Sequence, residues 1–534
     1  MRVRRLARLL GLLAACDVGA AALRHGSAAC AARKRPGHAA ARRVEPRLAV
    51  ASAVASSGAL QQVKADRMRG LSIAGSAALG SLIQGYSTGI VGGSLLFLVP
   101  HFGLRPAQVG AIATATTVGS VLGTFSAAAL ADSRLGRRGT MLVSAGLFVA
   151  SGAAQAWTPG VGVLLWARFV MGVGVGNAAA VVPVYVAECA DPELRGALAT
   201  VPQLFISTGV LLSYVATLLA AVLLKGDSAR FRAALGFVTL PALLYAACIF
   251  RLPESPRWLL RRGRAAEARA AHAWCRGSDD AAGFESLRAA VEGEERAARA
   301  RRGAAGVGLR DFSEPAVFKV LLTCVGLQFF QQFAGINAVI TFTPQILRDA
   351  GVPAFLGRAC GIDRNAAAVL AAAIAFAPKL PAMFATMALM DSWGRRRLLR
   401  TFVPCMGAAM LALAATLHRI AAGGASTVLS AAAIAAIASY GVFFGLSLGP
   451  MPNILTAETF PTRLRSVAMT TSLAAQFTAQ TLVSLFFPAL LAAHGAPKVF
   501  VGFAAVCAAA WVFITSFVEE TKNVSLEDIA KKLE

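Results

Sequence analysis

The feature that most limits what this chain can become is a series of long apolar runs, rich in Ala, Leu and Val and separated by short polar segments. A helix needs about 20 mostly apolar residues to cross a bilayer, and lipid leaves backbone groups no partners outside a helix or a closed barrel. The runs lack period-two alternation, so helices are expected. They fall near residues 72–98, 106–131, 139–157, 161–187, 198–224, 232–251, 316–346, 365–390, 399–417, 427–457, 466–493 and 497–517. With 57% hydrophobic and only 15% charged residues among 534 and a mean hydropathy of +0.63, the chain reads as an all-α membrane protein with twelve transmembrane helices.

Cationic residues cluster in alternate connections: Arg134, Arg137 and Arg138 after the second run, the Arg-rich 257–310 segment after the sixth, and Arg395, Arg396, Arg397 and Arg400 after the eighth. By the positive-inside rule those connections and both termini are cytosolic. The net charge of +25 therefore reads as topology and lipid contact, with no nucleic-acid partner. Residues 1–69 carry fourteen Lys/Arg against Asp17, Glu45 and Asp66. This extension resembles a secretory signal followed by an Arg- and Ala-rich transit segment, or else a basic cytosolic tail. A plastid envelope or other organelle membrane, or otherwise the plasma membrane, follows from those two readings. The nine cysteines lack CxxC or His-rich spacing, so neither a disulfide framework nor a metal site is indicated.

Punctuation recurs at a nearly fixed offset. "LADSRLGRRGT" after the second run matches "LMDSWGRRRLL" after the eighth; "ECADPELRG" matches "ETFPTRLRS"; "PESPRWLL" matches "VEETKNVSLEDI". The pairs lie 258, 270 and 266 residues apart, measured from Gly136 to Gly394, Glu188 to Glu458 and Glu254 to Glu520. A duplicated six-helix unit is the expectation: one bundle at 70–251, a linker with short helices at 252–314, a second bundle at 315–518 and a tail at 519–534. The linker's "SDDAAGFESLRAAVEGEERAARARR" has a charged amphipathic helical pattern. Gly172, Gly174 and Gly176 form a small-residue surface for close helix packing; no βαβ unit surrounds them, which excludes dinucleotide binding.

In this order "RFVMGVGVG", "PVYVAE", "PESPRWLL", "GLQFFQQFAGIN", "DSWGRRRLL" and "EETK…LEDI" resemble the sugar porter family of the major facilitator superfamily, over about residues 72–530. The resemblance implies two pseudo-symmetric six-helix bundles, a central sugar site and alternating access. It also implies a gating role for Arg137, Arg138, Glu188, Arg195, Glu254, Arg257, Arg395, Arg396, Glu458 and Arg465, all at cytosolic helix ends. There carboxylates and guanidiniums can pair through directional hydrogen bonds, holding the halves together when the site opens outward.

Polar side chains inside spanning helices are costly and face the bundle interior. Gln328, Gln331, Gln332 and Gly335 lie on one helical face with Asn337 just beyond. Carboxamides both donate and accept, which suits a ligand covered in hydroxyls; interhelical bridging is the alternative, above all for Gln328. The resemblance carries sugar binding onto Gln203, Gln331, Gln332, Asn337 and Gln476. It also shows departures. Ser87 in "GYSTGIVGG" stands where proton-coupled relatives have an acid, so that route to proton coupling is missing. Asn453 in "GPMPN" stands at the family's aromatic position, Phe477 replaces a frequent Trp, and Thr341 and Phe342 replace a pair of tyrosines that form an outer gate.

Lys379 lies in the apolar run 365–390, twelve residues before Asp391, where the family has a sugar-binding Asn. It donates to a sugar hydroxyl, attracts an anionic ligand, titrates as a switch, or pairs with a carboxylate elsewhere. Pro378 and Pro381 flank it and bend the helix. The expected function is facilitative transport of a hexose-like monosaccharide by a monomeric unit, with no enzyme chemistry and no cofactor. The alternatives are proton-coupled transport of a polyol, pentose or anionic sugar, and a non-transporting sugar sensor; the short stretch from Glu519 to Glu534 favours transport.

Overall fold

The computed structural model describes the backbone of residues 46–520 apart from 190–197, 199, 303–314, 353, 424–425 and 461, with most side chains from Met68 onward. Residues 1–45 of the basic extension, residues 521–534 of the tail, and the side chains of Arg195 and Arg465, expected to gate, lie outside the described residues. Among the described residues every regular element is a helix. The N-terminal half holds α1 (Pro46–Phe102), α2 (Pro106–Asp132), α3 (Gly136–Trp157), α4 (Val161–Cys189), α5 (Val201–Leu223) and the pair α6 (Asp227–Gly236) and α7 (Thr239–Arg251). Three shorter helices follow in the linker: α8 (Pro256–Arg261), α9 (Ala265–Arg276) and α10 (Ala281–Arg302). The C-terminal half begins with α11 (Pro315–Phe333), α12 (Ile336–Asp349), the short α13 (Ala354–Cys360), α14 (Arg364–Phe376) and α15 (Lys379–Trp393). It ends with α16 (Arg395–Gly423), α17 (Thr427–Leu446), α18 (Met451–Thr459) and α19 (Thr462–Phe517).

Eleven helical stretches among the described residues are long and apolar enough to cross a membrane. The last, Val467–Phe517, has 51 residues, about 76 Å at 1.5 Å per residue and enough for two crossings. Gly495 breaks it with φ 76° and ψ 158°, where the sequence predicts the turn between its eleventh and twelfth runs. Divided there, the stretches give twelve crossings, and the protein is a multi-pass integral membrane protein.

Close packing rests on glycine at helix crossings. A Cβ on Gly172 would lie 1.9 Å from the Thr116 carbonyl oxygen, and one on Gly176 2.1 Å from that of Ser120, so α2 and α4 meet backbone to backbone. Gly174 faces α3 instead, against the Phe148 ring. These glycines are packing residues, as their spacing indicates. In the linker Trp258, Leu259, Ala268, Ala271 and Phe284 build a small separate core, to which the amphipathic stretch read from the sequence contributes Phe284.

The two halves press together on the side opposite the linker. Gly92 of α1 admits no side chain because the Thr341 carbonyl lies 2.3 Å from where its Cβ would be. Tyr214 on α5 donates its hydroxyl to the Ile340 carbonyl at 2.6 Å, and Arg230 pairs with Asp363 at 3.2 Å. Nearer the middle, Thr481 and Thr117 share a hydrogen bond of 2.6 Å. The outer face is therefore shut, and Tyr214 supplies a cross-half phenol in the region where Thr341 and Phe342 replace the family's tyrosines.

Candidate functional site

Three membrane helices of the C-terminal half are interrupted within their spans. Between α11 and α12, Gly335 takes φ 92°, and a Cβ there would strike the Phe503 ring. Between α14 and α15 the break falls at Ala377 and Pro378, where two prolines remove backbone donors. Between α17 and α18, Ser447 leaves helical geometry at φ −133°, ψ −101° ahead of Pro450 and Pro452. Irregular backbone at membrane depth persists where other groups satisfy it or it lines a cavity.

Gln331 does the satisfying for the third break. Its Nε2 donates to the freed carbonyls of Leu448 and Gly449, at 2.7 and 2.9 Å. Its Oε1 accepts from Gln332 Nε2 at 2.8 Å, and Gln332 Oε1 accepts in turn from Asn337 Nδ2. The predicted carboxamides thus form one directed chain, all buried. Its spare groups are Asn337 Oδ1 and the second N–H of Gln332 and Asn337, an alternation of acceptor and donors that matches vicinal hydroxyls.

Gln328 Nε2 donates to Asn453 Oδ1 at 2.8 Å, so Gln328 bridges α11 to α18, the alternative weighed for it. The substitution of Asn453 at an aromatic position thereby has a local partner in this chain. Gln203 and Gln476 are half-buried on α5 and α19; Gln476 Oε1 is enclosed and has no partner within the protein. Lys379, the first residue of α15, is buried with its Nζ 5.0 Å from the centre of the Phe444 ring, a cation–π contact.

At the cytosolic ends the duplicated motifs build the same device twice. Glu254 accepts from the backbone N–H of Arg137 at 3.1 Å, of Arg138 at 3.1 and 3.2 Å and of Ser255 at 2.8 Å, which caps α3 with a carboxylate. Glu520 accepts from Arg395 and Arg396 N–H at 2.9 and 3.1 Å and caps α16 in the same way. Gly136 and Gly394, with φ 72° and 87°, lie directly beneath those carboxylates. The Arg137 guanidinium forks onto Glu188 at 3.2 and 3.3 Å and reaches Asp132 at 2.8 Å; Arg395 reaches Glu458 at 2.7 Å. Arg138 donates to the Ile249 and Phe250 carbonyls and Arg396 to that of Thr515. Arg257 pairs with Glu294 at 3.3 Å and ties α8 to α10. Apart from the linker pair, these contacts among the described residues join helices of the same half and brace it. Burial pushes the Glu254 carboxyl above the usual carboxylate range, against the pull of its backbone donors.

Sequence reasoning missed Arg168. It stands in the quoted "RFVMGVGVG", a lone cation in the 161–187 run, and it is 1% exposed. Its Nε donates to the Ile112 carbonyl at 2.8 Å and one terminal nitrogen to that of Ser87 at 3.3 Å. The expected coupling position, Ser87, therefore touches a buried cation through its backbone.

The family profile described as "Sugar (and other) transporter" matches residues 73–533. The chain belongs to the sugar transporter family. It is 32% identical over 467 residues to the plastidic glucose transporter 4 of Arabidopsis thaliana, covering 86% of this chain and 79% of that one. It is 30% identical over 456 residues to the D-xylose transporter of Levilactobacillus brevis, covering 85% and 94%. Among solved structures, the proton:xylose symporter XylE bound to 6-bromo-6-deoxy-D-glucose superposes with a TM-score of 0.70 at 25% identity, over 88% of this chain and all of that one. The fold is that of the major facilitator superfamily, with all-α helical halves as the sequence indicates.

Proposed function

We propose that this sugar transporter carries a neutral, hexose-like monosaccharide by alternating access, as a facilitator that takes no proton along. The carboxamide chain Gln331–Gln332–Asn337 carries this reading, because its free donors and acceptors are uncharged and alternate as sugar hydroxyls do. Gln203, Gln476, Asn453 and Lys379 complete the site. Ser87 supports the absence of coupling, since a serine whose carbonyl meets Arg168 brings no carboxylate to titrate. With the outer face shut, the route to the site in this form is from the cytosolic side. The brace pairs part or re-form as the halves rock, with the monomer as working unit. Likeness to a plastidic glucose transporter and the basic extension at 1–69 favour a plastid envelope as the membrane.

The test is radiolabelled glucose counterflow in liposomes, with and without an imposed pH gradient, with D-xylose, a hexitol and glucuronate as competitors. Counterflow indifferent to the gradient, blocked by xylose or unlabelled glucose, is the expected result. Stimulation by the gradient would overturn the facilitator reading, and competition by glucuronate alone would shift the cargo to an anionic sugar held by Lys379. Folded protein without counterflow of any sugar would make it a sensor.

A further inference from the structure

The twelve apolar stretches named above contain no Asp or Glu. Arg168 nonetheless lies seven residues inside α4, about 10 Å from its outer end at 1.5 Å per residue, sealed from solvent. Its guanidinium is a permanent charge with five N–H donors. The Ile112 and Ser87 carbonyls take two of its nitrogens, but carbonyls are dipoles and leave the charge uncompensated. The remaining terminal nitrogen, Nη1, has no hydrogen-bond partner within the protein.

Two further unpartnered groups belong to residues at the same junction. The Ser87 hydroxyl is enclosed and unpartnered, on the same residue whose carbonyl receives the guanidinium. So is the Thr116 hydroxyl. A helical threonine commonly returns its hydroxyl to the carbonyl four residues back, which here is Ile112, the acceptor already held by Arg168 Nε. Gly172, one turn beyond Arg168 on α4, packs on the Thr116 backbone, which fixes α2 and α4 at this spot. One cationic nitrogen and two hydroxyls, all buried and unpartnered, therefore belong to residues joined through their backbones at the meeting of α1, α2 and α4, whose apolar stretches hold no carboxylate. Ser87 is 3% and Thr116 7% exposed, so the space is closed to anything of sugar size.

We propose that this junction binds one small inorganic anion, chloride, between Arg168 Nη1 and the hydroxyls of Ser87 and Thr116. The ion supplies the negative charge that a carboxylate at position 87 would supply, and holds α1, α2 and α4 in register. Lys379, on the other half beside Phe444, takes no part. The site does not rest on the sugar reading; chloride binds whether or not glucose is carried.

The full chain in lipid nanodiscs is dialysed against ³⁶Cl⁻, with potassium gluconate keeping ionic strength constant, and its thermal unfolding is followed over the same chloride series. Saturable binding of about one ion per chain, with a midpoint of unfolding that rises along the same curve, is expected. Arg168→Gln should weaken binding at least about tenfold. Because that variant risks misfolding, Ser87→Asp is the deciding one: its carboxylate occupies the ion's place, so the variant should unfold at one temperature in chloride and gluconate and bind no ³⁶Cl⁻. Binding that never saturates, marking an adventitious ion only, overturns the proposal. So does unchanged saturable binding in folded Ser87→Asp.

Discussion

Removing one oxygen atom should open the outer face. Tyr214 and the Ile340 carbonyl are joined at 2.6 Å across the two halves, and both residues are buried in the outer-closed form. Tyr214→Phe keeps the ring and its 5.7 Å packing on Phe376 but strands the Ile340 carbonyl. A net hydrogen bond contributes about 0.5–1.5 kcal/mol, and a buried group left unpaired costs about 1–3 kcal/mol. When the halves part, both groups meet water and nothing is lost, so the change penalises the closed state alone. A penalty of about 1–2 kcal/mol raises the outer-open population about 5- to 30-fold. Hydrogen exchange of residues 92–102 and 336–349, which pack against each other across the shut outer face, should speed up by a like factor. Arg230→Gln should do less, because Asp363 is 43% exposed in its pair with Arg230 and such pairs contribute under about 1 kcal/mol. Unchanged exchange in a Tyr214→Phe protein of wild-type melting temperature, or a larger effect from Arg230→Gln, would refute the reasoning.

Gln331→Leu removes the donor that satisfies the Leu448 and Gly449 carbonyls; glucose binding measured by calorimetry should weaken at least about tenfold, with a stability loss of about 2–4 kcal/mol. Glu254→Ala strips the cap from α3 and Glu520→Ala the cap from α16, and each should cost about 1–3 kcal/mol, read as a lower melting temperature. Equal damage from the two would follow from their matching geometry. Burial, with Arg276 adding to it, holds His272 below its usual pKa. A depressed histidine pKa means the unfolded chain binds the proton more tightly, so its contribution is complete above the unfolded pKa of about 6.5 and is lost as pH falls below it. Protease cleavage within 256–296 should therefore accelerate between about pH 6.5 and 5 in wild type and stay flat in His272→Gln.

The membrane helices, the duplicated halves and the carboxamide face were legible because each is written as a local pattern. A run of twenty apolar residues has one physical solution, and Gln331, Gln332 and Asn337 share a face by helical spacing alone. Glu254 and Glu520 were legible as motif members but not as caps, since the Gly136 and Gly394 turns that aim backbone N–H groups at them depend on helices more than a hundred residues away. Tyr214 and Arg168 were not singled out. A tyrosine in an apolar helix looks like packing until its acceptor across the halves is known. Arg168, quoted for the glycines beside it, stood out only once Ser87 and Ile112 were seen to receive it.

The carboxamide chain proposed as the sugar's seat also props a broken helix through Gln331, and this links the site to the cytosolic end. Gln331 holds the carbonyls just before α18, Gln328 holds Asn453 within it, and Glu458 at its far end holds Arg395 at the start of α16. The helix α18 spans only Met451–Thr459, about two and a half turns, too short to bend, so a tug at one end moves the other. A sugar hydroxyl that captures an N–H or the oxygen of Gln332 alters the hold on Gln331, and through it the seat of α18. Saturating glucose should therefore change hydrogen exchange at residues 451–459 and 395–398 together, and Gln331→Leu should abolish that response while leaving exchange in α2 as it was. Sugar binding without any change at 451–459 would show the carboxamides acting as a receptor only, uncoupled from the brace.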